Sequence, residues 1–217
     1  MFSKVKSIGI FGIESYMIEV EADISGGLPC FDIVGLPDAA VKESRDRVRA
    51  AIKNCGFKYP TGRITVNLAP ADKKKEGAVY DLPVLLAILS ASKQLEATPD
   101  DSVFIGEVSL SGDIRRVNGV LAMAITAKQN GIKNVYVPFD NAREAAAIEG
   151  INVFALKNIK QLFEHLSGTC KLIPEKFEVS TSKSLESALD FCDVKGQVAA
   201  KKALEVAAAG GHNILLL

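Results

Sequence analysis

Ile105-Gly106-Glu107-Val108-Ser109-Leu110-Ser111-Gly112-Asp113-Ile114 is the stretch that decides the fold. It lies in a segment, Phe104 to Val117, that predicts a β-hairpin turning at Ser111-Gly112-Asp113. After this hairpin, helical and strand patterns alternate, which is typical of a layered α/β domain. The predicted elements are a helix from its N-cap Asn118 to Gly131, a strand over 134–138, a helix over 141–149, a strand over 152–154 and a helix over 159–166.

The sequence before the hairpin predicts strands and two helices. Asp38 is the expected N-cap of the first helix, and Gly56 is its expected stop. Asp81 is expected to cap the second helix, which is almost wholly apolar and should be buried. The other predicted elements are strands within 4–34, a strand over 64–68 and a polar loop over 70–77.

Bulk properties favour no class of partner. The chain has 217 residues, 48% of them apolar, which is enough for a buried core. Lys plus Arg and Asp plus Glu number 26 each, so the net charge does not point to nucleic acid or to a membrane surface. No apolar run is long enough for a transmembrane helix, and the N-terminus lacks the apolar core of a signal peptide. We therefore expect a cytoplasmic protein with no membrane contact.

The cysteines and histidines predict no metal site. Four cysteines lie far apart without CxxC spacing, and there are only two histidines, His165 and His212. His165 falls in a short amphipathic helix and is interpreted as a surface or packing residue.

The hairpin region carries the first family resemblance. Residues 105–114, 118–121 and 127–138 resemble the proteolytic domain of Lon-type proteases, which shares the fold of the second domain of ribosomal protein S5. The resemblance implies an α/β domain built as a two-layer sandwich.

The end of the chain carries a second resemblance. Asp193-Val194-Lys195-Gly196-Gln197 and the run 207–216 resemble the opening of the AAA+ module of magnesium-chelatase-like ATPases. With the blocks at 35–44 and 75–83, the whole chain resembles the YifB/ComM family of bacterial magnesium-chelatase-like AAA+ proteins.

The predicted domain organisation follows from these resemblances. Residues 1–167 are expected to form the Lon-like domain, 168–187 a linker, and 188–217 the start of an AAA+ domain. Ile214-Leu215-Leu216-Leu217 reads as the strand that leads into a GxxxxGK(S/T) phosphate-binding loop. We expect the chain to be the front part of a longer ATPase, cut just before that loop, with the final strand poorly packed or held by a neighbouring chain.

The Lon-type resemblance also locates a protease site that the residues do not fill. Lon chemistry needs a serine nucleophile and a lysine base. The matching positions here are Val79 and Leu121. Ser90 and Ser92 lie further along a buried helix, and Lys93 is not on the partner helix. No catalytic residue is therefore predicted for this chain.

The family resemblance implies a function for the longer protein. That protein is expected to bind ATP and Mg²⁺, to form rings that are hexameric in this family, and to work on DNA as a helicase in recombination during transformation. The present domain is then a non-catalytic module. The alternatives are a module for ring assembly or protein contact and, ranked lower, a subunit of a magnesium chelatase.

Three basic clusters are candidate contacts for DNA or a partner protein. A stripe on the first helix could meet phosphate or an acidic neighbour, although a solvated face balanced by Glu43 and Asp46 is the favoured interpretation. Aromatic residues do not visibly interleave with these clusters, so no stacking platform is predicted. The candidates are Lys42, Arg45, Arg49 and Lys53 in the stripe, Lys73, Lys74 and Lys75 in the loop, and the pair Arg115 and Arg116. In the longer protein, the nucleotide-contacting residues are expected to be Val194, Lys195, Gly196 and Gln197.

Overall fold

The computed structural model describes residues 1–12, 14–96, 98–177 and 190–216. The chain divides into two units, 1–177 and 178–217. The strands are β1 (Phe2–Phe11), β2 (Glu14–Ser25), β3 (Cys30–Val34), β4 (Arg63–Ala69), β5 (Ser102–Phe104), β6 (Glu107–Val108), β7 (Ile114–Arg115), β8 (Asn134–Pro138) and β9 (Asn152–Leu156). The helices are α1 (Ala39–Asn54), α2 (Asp81–Ala91), α3 (Val120–Gln129), α4 (Phe139–Ala145), α5 (Ile159–Leu166) and α6 (Val198–Gly210).

The first sheet has one face on the core and one face in water. Its order is β1-β2-β4-β3, antiparallel except for the parallel pair of β3 and β4. Along β2 every second residue from Tyr16 to Ile24 is buried, and the same alternation runs along β4. α2 and α3 pack against β1 and β2 on the buried side. Glu19 and Glu21 lie on the other face, where Glu19 pairs with Lys4 at 2.6 Å.

The second sheet is parallel and its central strand is buried. Its order is β5-β8-β9, with α4 packed on β8 and β9 and α5 packed on β9. β8 reads as a continuous apolar run, as expected for a strand covered on both faces. Ser7 of β1 donates its hydroxyl to Phe104 O of β5 at 2.9 Å and so joins the two sheets. Helices on one side of an antiparallel sheet confirm the predicted two-layer α/β fold class.

Several predicted elements are confirmed, and a few differ in their ends. The predicted hairpin is present as the antiparallel pair β6 and β7. Asp38 caps α1 by accepting from Val41 N at 2.7 Å, as predicted. The predicted helix over 141–149 instead runs from Phe139 to Ala145.

Two predicted caps are wrong. α3 begins after Gly119, which has a left-handed backbone, and Asn118 is not its cap. Asp81 is the first residue of α2 rather than its cap, and its side chain points elsewhere. In both cases a polar residue ahead of an apolar run resembled a cap in the sequence alone.

The first unit continues past residue 167. Residues 168–177, which the sequence assigned to the linker, belong to the first unit, while 178–187 lie outside the described residues. Backbone N–H groups of Cys170 and Glu175 donate to Glu164 O and Val153 O at 3.0 and 2.7 Å. These bonds tie the segment to α5 and β9.

The described part of the second unit is a short turn followed by α6. Asp190 caps a 3-10 turn at Phe191–Asp193 by accepting from Cys192 N at 2.9 Å. Gly211, in a left-handed conformation, ends α6. Residues 214–216 are exposed, as predicted, but they are not in a strand, and residue 217 lies outside the described ranges. None of the helices within the described residues is long and apolar enough to cross a membrane.

Candidate functional site

A cleft of about 250 Å³ lies at the position where a Lon-type site is expected. Val79, in a 3-10 turn at Ala78–Tyr80, forms one wall, and Met123 of α3 forms another. Val79 is 7% exposed, and Leu121 lies on α3 with 42% of its surface exposed. The full lining is Ile10, Glu76, Gly77, Ala78, Val79, Glu107, Arg116, Val117, Asn118 and Met123. Neither Val79 nor Leu121 carries a group that can attack a carbonyl or accept a proton.

The serines considered as substitutes are engaged elsewhere. The Ser92 hydroxyl donates to Leu89 O at 3.0 Å, one turn back in α2. Ser90 and Lys93 lie at the end of α2, beside the N-terminal Met1 and Phe2. Among residues 1–12, 14–96, 98–177 and 190–216, no serine hydroxyl is hydrogen-bonded to a lysine amine. The structure therefore brings no alternative Ser–Lys pair together.

A buried ion pair that the sequence did not reveal supports the cleft. Arg47 of α1 donates from Nε and Nη2 to Asp81 Oδ2 and Oδ1 at 2.7 and 3.0 Å, in bidentate geometry. Val108 N donates to the same carboxylate at 3.2 Å. Since Asp81 is fully buried, burial raises its pKa, and Arg47 and the Val108 amide oppose that shift. The pair ties α1 and α2 to β6, whose Glu107 lines the cleft.

Asp38 ties the other side of the cleft to α1. One carboxylate oxygen caps the helix, and the other accepts from Gly77 N at 3.2 Å. Gly77 has φ 79° and ψ 179°, a backbone conformation that favours glycine. The wall of the cleft that contains Val79 is thus positioned from two directions, by Asp38 and by Asp81.

The charged groups at the cleft rim are largely paired. Glu107 lies 3.6 Å from Arg115, and Glu76 lies 2.8 Å from Lys74. Arg116 lines the cleft itself. The two predicted arginines are therefore separated, because Arg115 pairs along the hairpin while Arg116 faces the cleft.

The basic stripe on α1 is exposed as the sequence suggested. Lys42, Arg45, Arg49 and Lys53 are all on the surface. Of the two acidic residues expected to balance them, Glu43 lies 3.8 Å from Arg47, and Asp46 is exposed on the same helix.

Aromatic rings lie beside two of the basic clusters in the folded chain. The ring of Tyr59 lies under Arg49 and Lys53, with its centroid 5.5 and 5.9 Å from their charged groups. Lys73 lies 4.4 Å from the ring centroid of Tyr16. These rings and cations are brought together by folding rather than by spacing along the chain, and the absence of a stacking platform for bases stays a prediction.

The loop lysines have three different environments, and one is not on the surface. Lys73 and Lys74 are exposed, but Lys75 is 0% exposed. Its Nζ donates to Lys73 O at 2.8 Å and also to Pro70 O. Burial lowers the pKa of Lys75. The prediction that Lys75 contacts DNA or a partner is therefore wrong, because its ammonium is buried and donates to carbonyl groups of its own loop.

The segment expected to lie beside nucleotide is exposed. Residues 194–197 follow the 3-10 turn, and Gln197 has a left-handed backbone immediately before α6. Lys201 of α6 donates to Val194 O. The segment offers backbone groups and the Lys195 side chain, and no Gly-rich phosphate cradle occurs in the sequence.

Comparison with protein families gives two matches in the order that the sequence suggested. The model for "Subunit ChlI of Mg-chelatase" matches residues 20–141, more than half of the chain. A second model, "Magnesium chelatase, subunit ChlI", matches residues 190–217.

Comparison with curated proteins gives relatives over nearly the whole chain. Competence protein ComM of Haemophilus influenzae is 40% identical over 218 residues, covering 98% of this chain and 42% of that protein. YifB of Escherichia coli is 42% identical over 216 residues, with 99% and 42% covered. A Mycobacterium tuberculosis protein is 44% identical over 211 residues, with 97% and 42% covered. The chain thus spans about 42% of the length of these relatives.

A Lon protease is similar to part of the chain. The enzyme of Acinetobacter baumannii is 32% identical over 104 residues, which is 46% of this chain and 13% of the protease. This likeness and the layered sheets confirm the predicted Lon-like fold class. The chain belongs to the magnesium-chelatase-like family that includes ComM and YifB.

Proposed function

We propose that this chain supplies a non-catalytic Lon-like module to a longer magnesium-chelatase-like ATPase. One observation carries the proposal: a cleft is present beside Val79, yet Val79 and Leu121 occupy the positions that match the Lon nucleophile and base in sequence. The ion pair of Arg47 with Asp81 and the contact of Asp38 with Gly77 support the cleft without supplying reactive groups. The domain would therefore act through its surface and not through peptide hydrolysis.

The ATPase part of the proposal rests on the family matches and on relative length. Residues 190–217 match the magnesium chelatase model, and the relatives are more than twice as long as this chain. ATP and Mg²⁺ would be bound mainly by sequence outside these 217 residues, because the phosphate-binding pattern does not occur within them. Residues 194–197 would contribute backbone contacts to the nucleotide.

We propose that the stripe on α1 contacts DNA backbone phosphates. Its four cations are exposed, and Glu43 lies with Arg47 rather than with the stripe. Arg49 and Lys53 lie beside Tyr59, which gives this end of the stripe an aromatic neighbour. One relative is named competence protein ComM, and we propose that the longer protein works on DNA as a helicase in recombination.

Fluorescence anisotropy with labelled single- and double-stranded DNA tests the DNA proposal. The test variant replaces Lys42, Arg45, Arg49 and Lys53 by Gln, and the matched control replaces the exposed Lys128, Lys133, Lys157 and Lys160 by Gln. We expect wild type and control to bind at about 50 mM salt, and the stripe variant to lose most of that affinity. For double-stranded DNA, the slope of log K against log salt concentration should become shallower by about 0.9 for each phosphate contact that is lost. Equal binding by both variants would remove the stripe from the proposal.

An assembly module is the second candidate, and one surface favours it. α3 exposes Leu121 and Ile125, one helical turn apart on the same face. Such a pair could contact a neighbouring subunit in the proposed ring. Light scattering of a longer protein with both residues replaced by Ser would show a smaller assembly than wild type if this surface is used. An unchanged mass would exclude it.

A further inference from the structure

The segment Cys170–Phe177, which we call the C-terminal strap, is held to the first unit by backbone N–H groups. Leu172 N donates to His165 Nδ1 at 2.9 Å, between the bonds of Cys170 and Glu175 to backbone carbonyl groups. Leu172 is partly buried against the core, whereas Ile173 is 83% exposed and Phe177 is largely exposed. Because the strap buries little apolar surface, its hydrogen bonds provide much of its attachment.

The hydrogen bonds of His165 select one tautomer of its ring. Nδ1 accepts the Leu172 N–H, so the neutral ring carries its proton on Nε2. Nε2 lies 3.0 Å from Tyr136 Oη and donates to it. The rings of Tyr136 and Phe154 pack on the imidazole at centroid distances of 5.6 and 5.1 Å. The ring is therefore fixed between the second sheet and the strap.

Protonation is incompatible with this arrangement. An imidazolium carries a proton on both nitrogens, so Nδ1–H would face the Leu172 N–H and neither would have an acceptor. Lys171 of the strap is the nearby cation, and it disfavours a second positive charge. From β8 the ring faces Tyr136, whose pKa burial raises to about 12, so the phenol stays neutral. Phe154 of β9 carries no charge. The acidic residue on α5 beside the histidine in sequence is Glu164.

We propose that His165 is a pH-operated latch, whose neutral ring holds the C-terminal strap on the first unit and whose protonation releases it. The strap ends at Phe177, the last residue of the first unit, so its release would detach the end of that unit from α5 and β9. Burial, and then Lys171, lower the pKa of His165 below its ordinary value. The latch is therefore closed above about pH 6.5, the value for an unperturbed histidine, and opens as pH falls towards the lowered pKa.

Amide hydrogen exchange of the whole 217-residue chain, measured by NMR and corrected for intrinsic rates, tests the latch. In wild type, we expect protection of the Leu172 and Glu175 amides to fall by about tenfold per pH unit as the pH drops from about 6.5 to the lowered pKa of His165. Protection of β8 amides should not change. Unaltered protection of Leu172 between pH 8 and pH 5 would overturn the proposal.

Two variants separate the latch from general acid instability. His165→Asn keeps an oxygen acceptor near the Nδ1 position but cannot titrate, so the strap should stay protected at both pH values. His165→Ala removes the acceptor, so Leu172 should be unprotected at both. A pH-dependent loss that persists in His165→Asn would contradict the latch.

A measurement on wild type keeps the proposal testable even if a variant does not fold. The ¹⁵N shifts of the imidazole ring at pH 8 should report a proton on Nε2 and none on Nδ1. The opposite tautomer would rule the latch out.

Discussion

Arg47 and Asp81 face each other from two helices in a bidentate ion pair, with Nε–Oδ2 2.7 Å and Nη2–Oδ1 3.0 Å. Asp81 is fully buried, and the first turn of α2 that it begins adjoins the cleft wall that contains Val79. The side chain expected to cap a helix instead joins α1, α2 and β6. It is therefore part of what positions the cleft wall that contains Val79.

Replacing Arg47 by Met should cost about 3 kcal/mol of unfolding free energy, because it leaves Asp81 buried without its partner. Since burial already raises the pKa of Asp81, the carboxyl group would then take up a proton more readily in the folded state. The loss should consequently be smaller at pH 5 than at pH 8. Urea unfolding at both pH values measures this.

Arg45→Met is the matched control for that substitution, since Arg45 is exposed on the same helix. It should change stability by no more than about 0.5 kcal/mol. Equal losses in the two variants would show that the ion pair has no special role.

Replacing Lys75 by Met should destabilise the protein by about 1–3 kcal/mol, because Pro70 O and Lys73 O would lose their donor. Lys74→Met removes only an exposed pair with Glu76 and should destabilise the protein much less than Lys75→Met. Thermal and urea unfolding compare the two. If Lys74→Met were the more damaging, the structural role assigned to Lys75 would be wrong.

Stability should depend on pH through His165. Its pKa is lowered by folding, so the unfolded chain binds more protons below about pH 6.5. The neutral ring therefore contributes fully to the free energy of unfolding above that pH, and this contribution is lost as the pH falls to the folded-state pKa. Between pH 8 and acid pH, the urea midpoint of wild type should therefore fall further than that of His165→Asn, which cannot titrate. Parallel curves would contradict the assigned direction.

The sequence predicted the fold because its strongest signals are local. Alternating burial along β2 and β4, the cap at Asp38 and the helix over 159–166 all follow from patterns a few residues long. The blocks within 105–138 carried the Lon-type resemblance, and the family resemblance came from these blocks together with those at 35–44, 75–83 and 193–216. These features needed no knowledge of distant contacts.

The site was predicted less completely because its contacts are distant in sequence. Arg47 and Asp81 are 34 positions apart, and Arg47 lies among arginines of similar appearance. One signal was available: Arg47 lies three residues after Ser44 and four before Ala51, both buried, at the margin of the core-facing side of α1. Lys75 offered no such signal, since it is the third of three consecutive lysines and only the folded loop buries it.

The central claim is that this chain has a Lon-like fold without Lon chemistry, and incubation with unfolded casein and a serine-reactive probe tests it most directly. We predict no cleavage and no labelling at Ser90, Ser92 or any other serine. Casein cleavage that copurifies with the chain and disappears in Ser90→Ala would contradict the account.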